Sequence, residues 1–295
     1  MRLRGPFDQP SRGSSLGTEG EEHQVAFVPS QPRTDPGFLR GVGWGQADVP
    51  YAFPNVSTER RVVESPVNAG PWRSVFSPGA TFARECFLDE LAHAAGKDPL
   101  AYRLELLEGT PVLEVGPLKL DRRRYARVLS LVGEKAGWGS PLPSGDGRLR
   151  GRGVAGNIYD GETCLAYVAE VSVGTRGDAR VERVVCAVDC GFAVNPLVRA
   201  QLEGGLLFGL SGALKGEITF VDGCPQQSSF ADYPVMGLPD TPEVEIHIVQ
   251  GSSSPSGLGE PPVPPAAPAV LNAVFAATGR RVRRLPLRPQ DIGAG

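Results

Sequence analysis

The chain has 295 residues, and 30 Lys and Arg against 33 Asp and Glu leave a formal charge of −3. That balance excludes a generally basic nucleic-acid binder and an acidic solvating tail. Hydrophobic residues at 41% supply a core, and no apolar run reaches the ~18 residues that a membrane helix needs.

Residues 1–40 are rich in Gly, Pro, Ser and Glu without periodicity, so they are expected to be irregular. Residues 1–45 are set apart as an unassigned segment. The two Arg within Met1–Pro10 precede no apolar core, so no signal peptide is expected. Ser77-Pro78 reads as an N-cap with Pro at the first helical position. Phe82, Cys86, Leu91 and Ala95 form that helix's apolar stripe, with Glu85, Asp89 and Glu90 facing elsewhere. Gly96 closes it. Asp98-Pro99 opens a second helix with Leu100, Leu104 and Leu107 on one side. A third helix is expected over Arg123–Ala136, with Tyr125, Val128, Leu129 and Val132 buried. This makes residues 46–138 a mostly helical subdomain. Residues 139–150, with Ser, Pro and Gly throughout, are a linker to a second subdomain over 151–295.

There the period changes to that of strands, at Arg152–Asn157, Cys164–Val173 and Arg180–Asp189, with a turn at 174–178. Asn195-Pro196 starts a helix to about Leu214, carrying Leu202, Leu206, Leu210 and Leu214 on one face. Gly204, Gly205, Gly209 and Gly212 interrupt it, each at up to ~1 kcal/mol against Ala, which implies close approach by a backbone or a ligand. Glu217–Val221, the Asp222-Gly223 turn and the strand after it form a hairpin. Glu243–Val249 is a strand, Ala267–Thr278 a helix closed by Gly279, and Val282–Leu287 a last strand. The fold class is α+β, a mixed sheet with packed helices.

Five cysteines, an odd number, do not form a disulfide framework. Cys186 and Cys190 share one face of a strand, but without a second pair or a nearby His they read as buried thiols rather than zinc ligands. His23, His93 and His247 are scattered, a weak basis for a metal site or a triad.

Three segments stand out chemically. In Gly257-Leu-Gly-Glu-Pro-Pro-Val-Pro-Pro265, the glycines let a ligand approach and the prolines fix Glu260, as a base requires; a plain Pro-rich surface loop is the competing reading. The helix starting at Asn195 offers unpaired N–H groups suited to an anion, with Gln201 and Glu203 in its first turns. Gly70-Pro-Trp-Arg-Ser-Val75 presents Arg73 just ahead of a helix, although Trp72 anchoring a loop explains it equally well.

Together with Phe87-Leu-Asp-Glu-Leu-Ala-His-Ala-Ala-Gly-Lys-Asp-Pro99, Val185-Cys-Ala-Val-Asp-Cys-Gly191, Asn195-Pro196, Gln201-Leu-Glu-Gly-Gly205, Phe208-Gly-Leu210 and Gly257-Leu-Gly-Glu-Pro261, these strings resemble the molybdopterin-binding large subunit of the xanthine dehydrogenase/aldehyde oxidase family. The nearest branch is the isoquinoline 1-oxidoreductase beta subunit type, over roughly residues 45–288. The resemblance implies a molybdenum-cofactor-binding domain of the molybdenum hydroxylase type, incomplete and matching the C-terminal portion. It implies Glu260 as the catalytic base, Gln201 on the pterin, and Trp72, Arg73 and Ser74 near the metal. Gly204, Gly205, Gly257 and Gly259 are the implied positions of close cofactor approach. Molybdenum in this family takes no protein ligand, and the cofactor is expected in its cytosine dinucleotide form. The implied reaction is hydroxylation of an aldehyde or an N-heterocyclic aromatic, with water as the oxygen source. No cysteine spacing fits an iron–sulfur module and no Gly-x-Gly-x-x-Gly marks a flavin or nicotinamide fold. Electrons are therefore expected to pass to a 2Fe-2S small subunit and on to a flavin or cytochrome subunit. Gly43-Trp-Gly-Gln46 does not match the Gly-Gln-Gly segment of the family's upstream half, which a separate chain would supply in a split subunit. A truncated, non-catalytic interaction module is the alternative. The compartment, cytoplasmic or periplasmic, is open.

Overall fold

The computed structural model describes residues 21–27, 49–53, 56–62, 71–115, 118–251 and 253–293. In chain order the strands β1 (Glu21–Phe27) and β2 (Val56–Val62) precede helices α1 (Ser77–Ala94) and α2 (Pro99–Leu106), the β3–β4 hairpin (Val112–Val115, Leu118–Asp121) and α3 (Arg122–Ala136). Then come β5 (Leu149–Tyr159), β6 (Thr163–Val173), β7 (Ala179–Asp189) and α4 (Val198–Leu214). The short strands β8 (Phe220–Val221) and β9 (Cys224–Pro225), then β10 (Glu243–Ile248), α5 (Ala266–Thr278) and α6 (Pro289–Ile292) complete the order.

The central sheet runs β10-β7-β6-β5, with β10 parallel to β7 and the other pairs antiparallel. It is a mixed sheet, as the sequence predicts. Helices cover both of its faces, which is why its strands read as near-continuous apolar runs. Val154, Ile158, Cys164, Ala166, Val168, Val185 and Ala187 meet Leu88 and Ala92 of α1, Leu100 of α2, and Tyr125, Val128, Leu129 and Val132 of α3. The alternate residues Ala155, Leu165, Tyr167, Ala169, Cys186 and Val188 meet Leu202, Leu206 and Leu210 of α4 and Ala269, Val270 and Val274 of α5. The thiols of Cys86, Cys164, Cys186 and Cys190 are free and buried.

Helix α5 lies against β5 with almost nothing between them. A Cβ on Gly153 would stand 2.1 Å from Ala273 N and 2.3 Å from Ala269 O. Those neighbours are helix backbone and cannot rotate away. Gly153→Ala is therefore expected to destabilise the protein by ~3 kcal/mol, the upper end of overpacking costs. A urea midpoint equal to wild type would show that the two elements are less tightly coupled.

Several expectations are corrected. Glu85 and Asp89 do not face outward: they are 0% and 3% exposed. Arg103 Nε donates to Glu85 Oε2 at 2.9 Å and its NH2 to Glu85 O at 2.7 Å, Tyr51 OH donates to Oε1 at 3.1 Å, and Arg281 pairs with Asp89 at 2.6 Å. A helical stripe cannot reveal such carboxylates, because their partners come from α2, from residue 51 and from beyond α5. Helix α1 is preceded by Phe76 rather than capped by Ser77, without a side-chain cap bond. By contrast Asp98 caps α2 as expected, accepting from Leu100 N and Ala101 N. Val282–Leu287 is irregular chain, not a strand; Pro286 has no N–H for a ladder, and Leu287 N donates instead to Ala213 O at 2.8 Å. The β3–β4 hairpin was not visible as periodicity. Residues 21–27 form a strand paired in parallel with β2, not irregular chain; the rest of 1–40, Gly43–Gln46 and Gly70 lie outside the described residues.

Candidate active site

Tyr159 ends β5, Thr163 begins β6, and Asp189 and Ile248 end β7 and β10, so the loops at this end of the sheet converge. The Gly257–Pro265 segment crosses here before entering α5. It is tied down at several points. Ser256 N donates to Cys190 O at 2.9 Å. Thr163 Oγ1 donates to Gly257 O at 2.9 Å while sharing a hydrogen bond with Ser256 Oγ at 2.6 Å. Arg73 Nε reaches Gly259 O at 2.6 Å and Gln201 Nε2 reaches the same carbonyl at 3.4 Å. Tyr167 OH donates to Pro262 O at 2.9 Å.

The Glu260 carboxylate is held at both oxygens. Ser74 N donates to Oε1 at 3.0 Å, and Tyr159 OH donates to Oε2 at 2.7 Å. Ser74 Oγ also donates to Glu260 O at 2.6 Å. To aim its N–H this way the chain adopts positive φ at Ser74 (78°) and at Val75 (51°). A β-branched residue in that region is strained, and such strain persists where surrounding contacts over-determine it. Each carboxylate oxygen has two lone pairs, so these bonds leave acceptor capacity on the cavity side. That cavity has a volume of about 240 Å³ and is lined by Tyr159, Asp160, Glu162, Thr163, Gly257, Gly259, Glu260 and Pro261. Burial first, then the bond and charge of Glu260, push the Tyr159 hydroxyl well up from its ordinary value, so it stays a donor. Burial and the charges of Glu260 and Glu162 likewise raise the Asp160 carboxyl.

The structure thus brings Glu260, Arg73, Ser74, Gln201, Gly257 and Gly259 together. Trp72, beside Arg73 in the chain, is stacked on Phe208 at 4.8 Å between ring centroids. The glycines divide. A Cβ on Gly205 would lie 2.6 Å from Pro262 Cβ, so its missing side chain lets α4 pack on the Glu260 segment. A Cβ on Gly204, Gly257 or Gly259 would meet nothing within 4 Å, and these three backbones stand open to a ligand. The residues that sequence reasoning missed are Tyr159, Thr163 and Tyr167. A Tyr in an apolar strand reads as core, and only its hydroxyl's need of a partner hints at more.

The neighbouring loop is anchored by Asp189, which accepts from Arg124 Nε at 3.0 Å and from Gly191 N at 3.0 Å. Burial alone would raise this carboxyl, but Arg124 and the Gly191 N–H hold it below the ordinary value. A carboxyl lowered on folding stabilises the protein above its unfolded value and loses that contribution as pH falls through the folded one. Asp189→Asn is therefore expected to lower the melting temperature near neutrality and to shrink the difference from wild type at acid pH. A difference that stays constant from neutrality to pH ~3 would contradict this.

Among the described residues no group of three or more His, Cys, Asp or Glu side chains stands close enough to bind a metal ion. Gln201, Arg73 and the open backbone at Gly204, Gly257 and Gly259 offer hydrogen-bonding and flat contact surface. A larger hollow of about 540 Å³ near Trp138 and Arg148–Arg152 is apart from this chemistry, and its arginines pair with Asp178, Asp146 and Glu170.

Residues 141–242 match the molybdopterin cofactor-binding domain family. The chain is 33% identical, over 97% of its length, to the membrane-bound aldehyde dehydrogenase (pyrroloquinoline-quinone) of Gluconacetobacter polyoxogenes, covering 37% of that protein. It is 31% identical to isoquinoline 1-oxidoreductase subunit beta of Brevundimonas diminuta, over 87% of this chain and 31% of that one. The chain thus spans about a third of the length of these curated relatives. The fold matches the aldehyde oxidoreductase of Desulfovibrio gigas with a TM-score of 0.71 at 16% identity, over 91% of this chain and 46% of that one.

Proposed function

This chain belongs to the molybdopterin-binding subunits of the xanthine dehydrogenase/aldehyde oxidase family, and we propose that it supplies the proton-accepting part of a molybdenum hydroxylase site. The substrate would be an aldehyde or an N-heterocyclic aromatic. The observation that carries the reading is the clamp on Glu260: a carboxylate fixed at both oxygens beside a cavity, on a segment held by Arg73 and Gln201. When bound, the molybdenum–pterin group, proposed in its cytosine dinucleotide form, supplies a two-electron oxidation with water as the oxygen source. Gln201 and Arg73 would hold the pterin, with Gly204, Gly257 and Gly259 giving it room and Trp72 and Ser74 completing the rim. Glu260 takes up the proton on the cavity side of its carboxylate, and a positioned base of this kind contributes ~10²–10⁴-fold. The Ser74 N–H, donating to Oε1, fixes the carboxylate in place. Electrons would leave to a 2Fe-2S subunit, with a flavin or cytochrome subunit beyond it.

The test is analysis of the purified complete enzyme for molybdenum, pterin and pyrroloquinoline quinone, together with dye reduction by a panel of aldehydes and N-heterocycles. Molybdenum and pterin with substrate-dependent reduction are expected. Neither metal nor pterin, or quinone in their place, would overturn the proposal.

A further inference from the structure

We propose that Gly205 is a positioning residue for Glu260, setting the depth at which the Gly257–Pro265 segment lies between α4 and the sheet. This deepens the reading of Glu260 as proton acceptor and rests on it. Gly205 is buried in α4, and its position touches the chain on both sides of Glu260. A Cβ there would stand 2.6 Å from Pro262 Cβ and 2.9 Å from Pro262 Cγ, just after the glutamate. It would also stand 3.3 Å from Arg73 Nη2. Arg73 Nε in turn holds the carbonyl of Gly259, the residue before the glutamate, at 2.6 Å.

Pro262 cannot swing aside. Its ring is closed and fixes φ, and its carbonyl is held by Tyr167 OH at 2.9 Å. Tyr167 lies on β6 and is 1% exposed, so the sheet backs the segment. One turn further along α4, a Cβ on Gly209 would meet Ala266 Cβ at 2.8 Å and Val263 O at 2.9 Å, so the helix is seated on the segment at a second point. A methyl group at 205 therefore pushes Pro262 and Arg73 away from α4, and Glu260 lies between the two anchor points. Ser74 follows Arg73 in the chain and donates its N–H to Glu260 Oε1 at 3.0 Å, so this bond opens as Arg73 moves. The adjacent Gly204 faces open space, which confines the effect to one of two neighbouring glycines.

The experiment is amide hydrogen exchange on the 295-residue chain, read at Ser74 and, as a core reference, at Val168 in the middle of β6. In Gly205→Ala the Ser74 rate relative to Val168 is expected to rise roughly tenfold or more, because the opening is local. Gly153→Ala, a tight glycine remote from this segment, lowers stability without raising that ratio. Pro262→Gly removes both atoms that the new methyl group would strike, so adding it to Gly205→Ala is expected to restore most of the Ser74 protection. If Gly205→Ala alone does not fold, the double variant is expected to fold. An unmoved ratio in folded Gly205→Ala, or a double variant no better than the single one, overturns the proposal. In the complete enzyme, Gly205→Ala is expected to lower turnover per molybdenum by ~10²-fold at unchanged KM, the cost of a misplaced reacting group. A raised Ser74 ratio with wild-type turnover per molybdenum would instead overturn the reading of Glu260 as base and leave the positioning intact.

Discussion

Replacing Glu260 with Gln in the complete, reconstituted enzyme is expected to lower turnover by ~10²–10⁴-fold, toward the upper end, while molybdenum content stays at the wild-type level. The amide has the size of the carboxylate and keeps one oxygen to accept from Ser74 N. The backbone anchors at Gly259, Glu260 and Pro262 do not involve the side chain that changes, so the segment should keep its place. What is lost is the ability to take a proton. Two other outcomes carry distinct meanings when turnover and metal are measured on one preparation. Wild-type turnover with full cofactor ends the catalytic role of Glu260. Loss of metal along with turnover makes Glu260 a structural carboxylate of the loop.

The largest stability effect is expected at Arg103, in the core. Arg103 is fully buried between α1 and α2, and its partners are Glu85 Oε2, Glu85 O and Pro99 O. Burial alone would pull its pKa down, but the charges of Glu85 and Asp89 hold it above the ordinary value. Arg103→Met removes the cation and leaves Glu85 buried, with Arg84 at 3.4 Å as its remaining ion pair. Breaking a buried pair from one side costs ~3–5 kcal/mol. Glu85→Gln added to Arg103→Met should recover part of that loss, because the stranded charge goes with it. Denaturant midpoints of the wild type, both single variants and the double variant measure this. Additive losses in the double variant would show that the two side chains do not form one unit.

What could be read in advance follows from which interactions are local. The helix over Pro99–Leu106 was legible because its Asp98 cap, its proline and its apolar face lie within a few residues. The long strands were legible because burial on both faces makes them unbroken Val, Ala and Leu runs. The Gly-Leu-Gly-Glu segment stood out by composition, whereas the bonds of Arg73 and Gln201 to Gly259 O depend on the fold. Of the four glycines of α4 expected at sites of close approach, Gly205 faces Pro262, Gly209 faces Val263 and Ala266, and Gly212 faces Trp72, while Gly204 meets nothing within 4 Å. The rest was hidden because it depends on contacts across the fold. Glu85 and Asp89 have the spacing of solvent-facing carboxylates and become core residues through partners such as Arg103, Tyr51 and Arg281. Tyr159 pairs with a glutamate 101 positions away, a distance at which no periodicity informs. The strain at Ser74 and Val75 follows from what that loop must reach.

The measurement that tests the central claim most directly is an anomalous-scattering map, recorded at the molybdenum absorption edge on crystals of the complete enzyme. The account predicts one strong molybdenum peak in the cavity beside the Glu260 carboxylate, which Tyr159, Thr163, Gly257 and Gly259 also line. A fully occupied molybdenum peak remote from Glu260, with this cavity filled by protein or solvent, would contradict it.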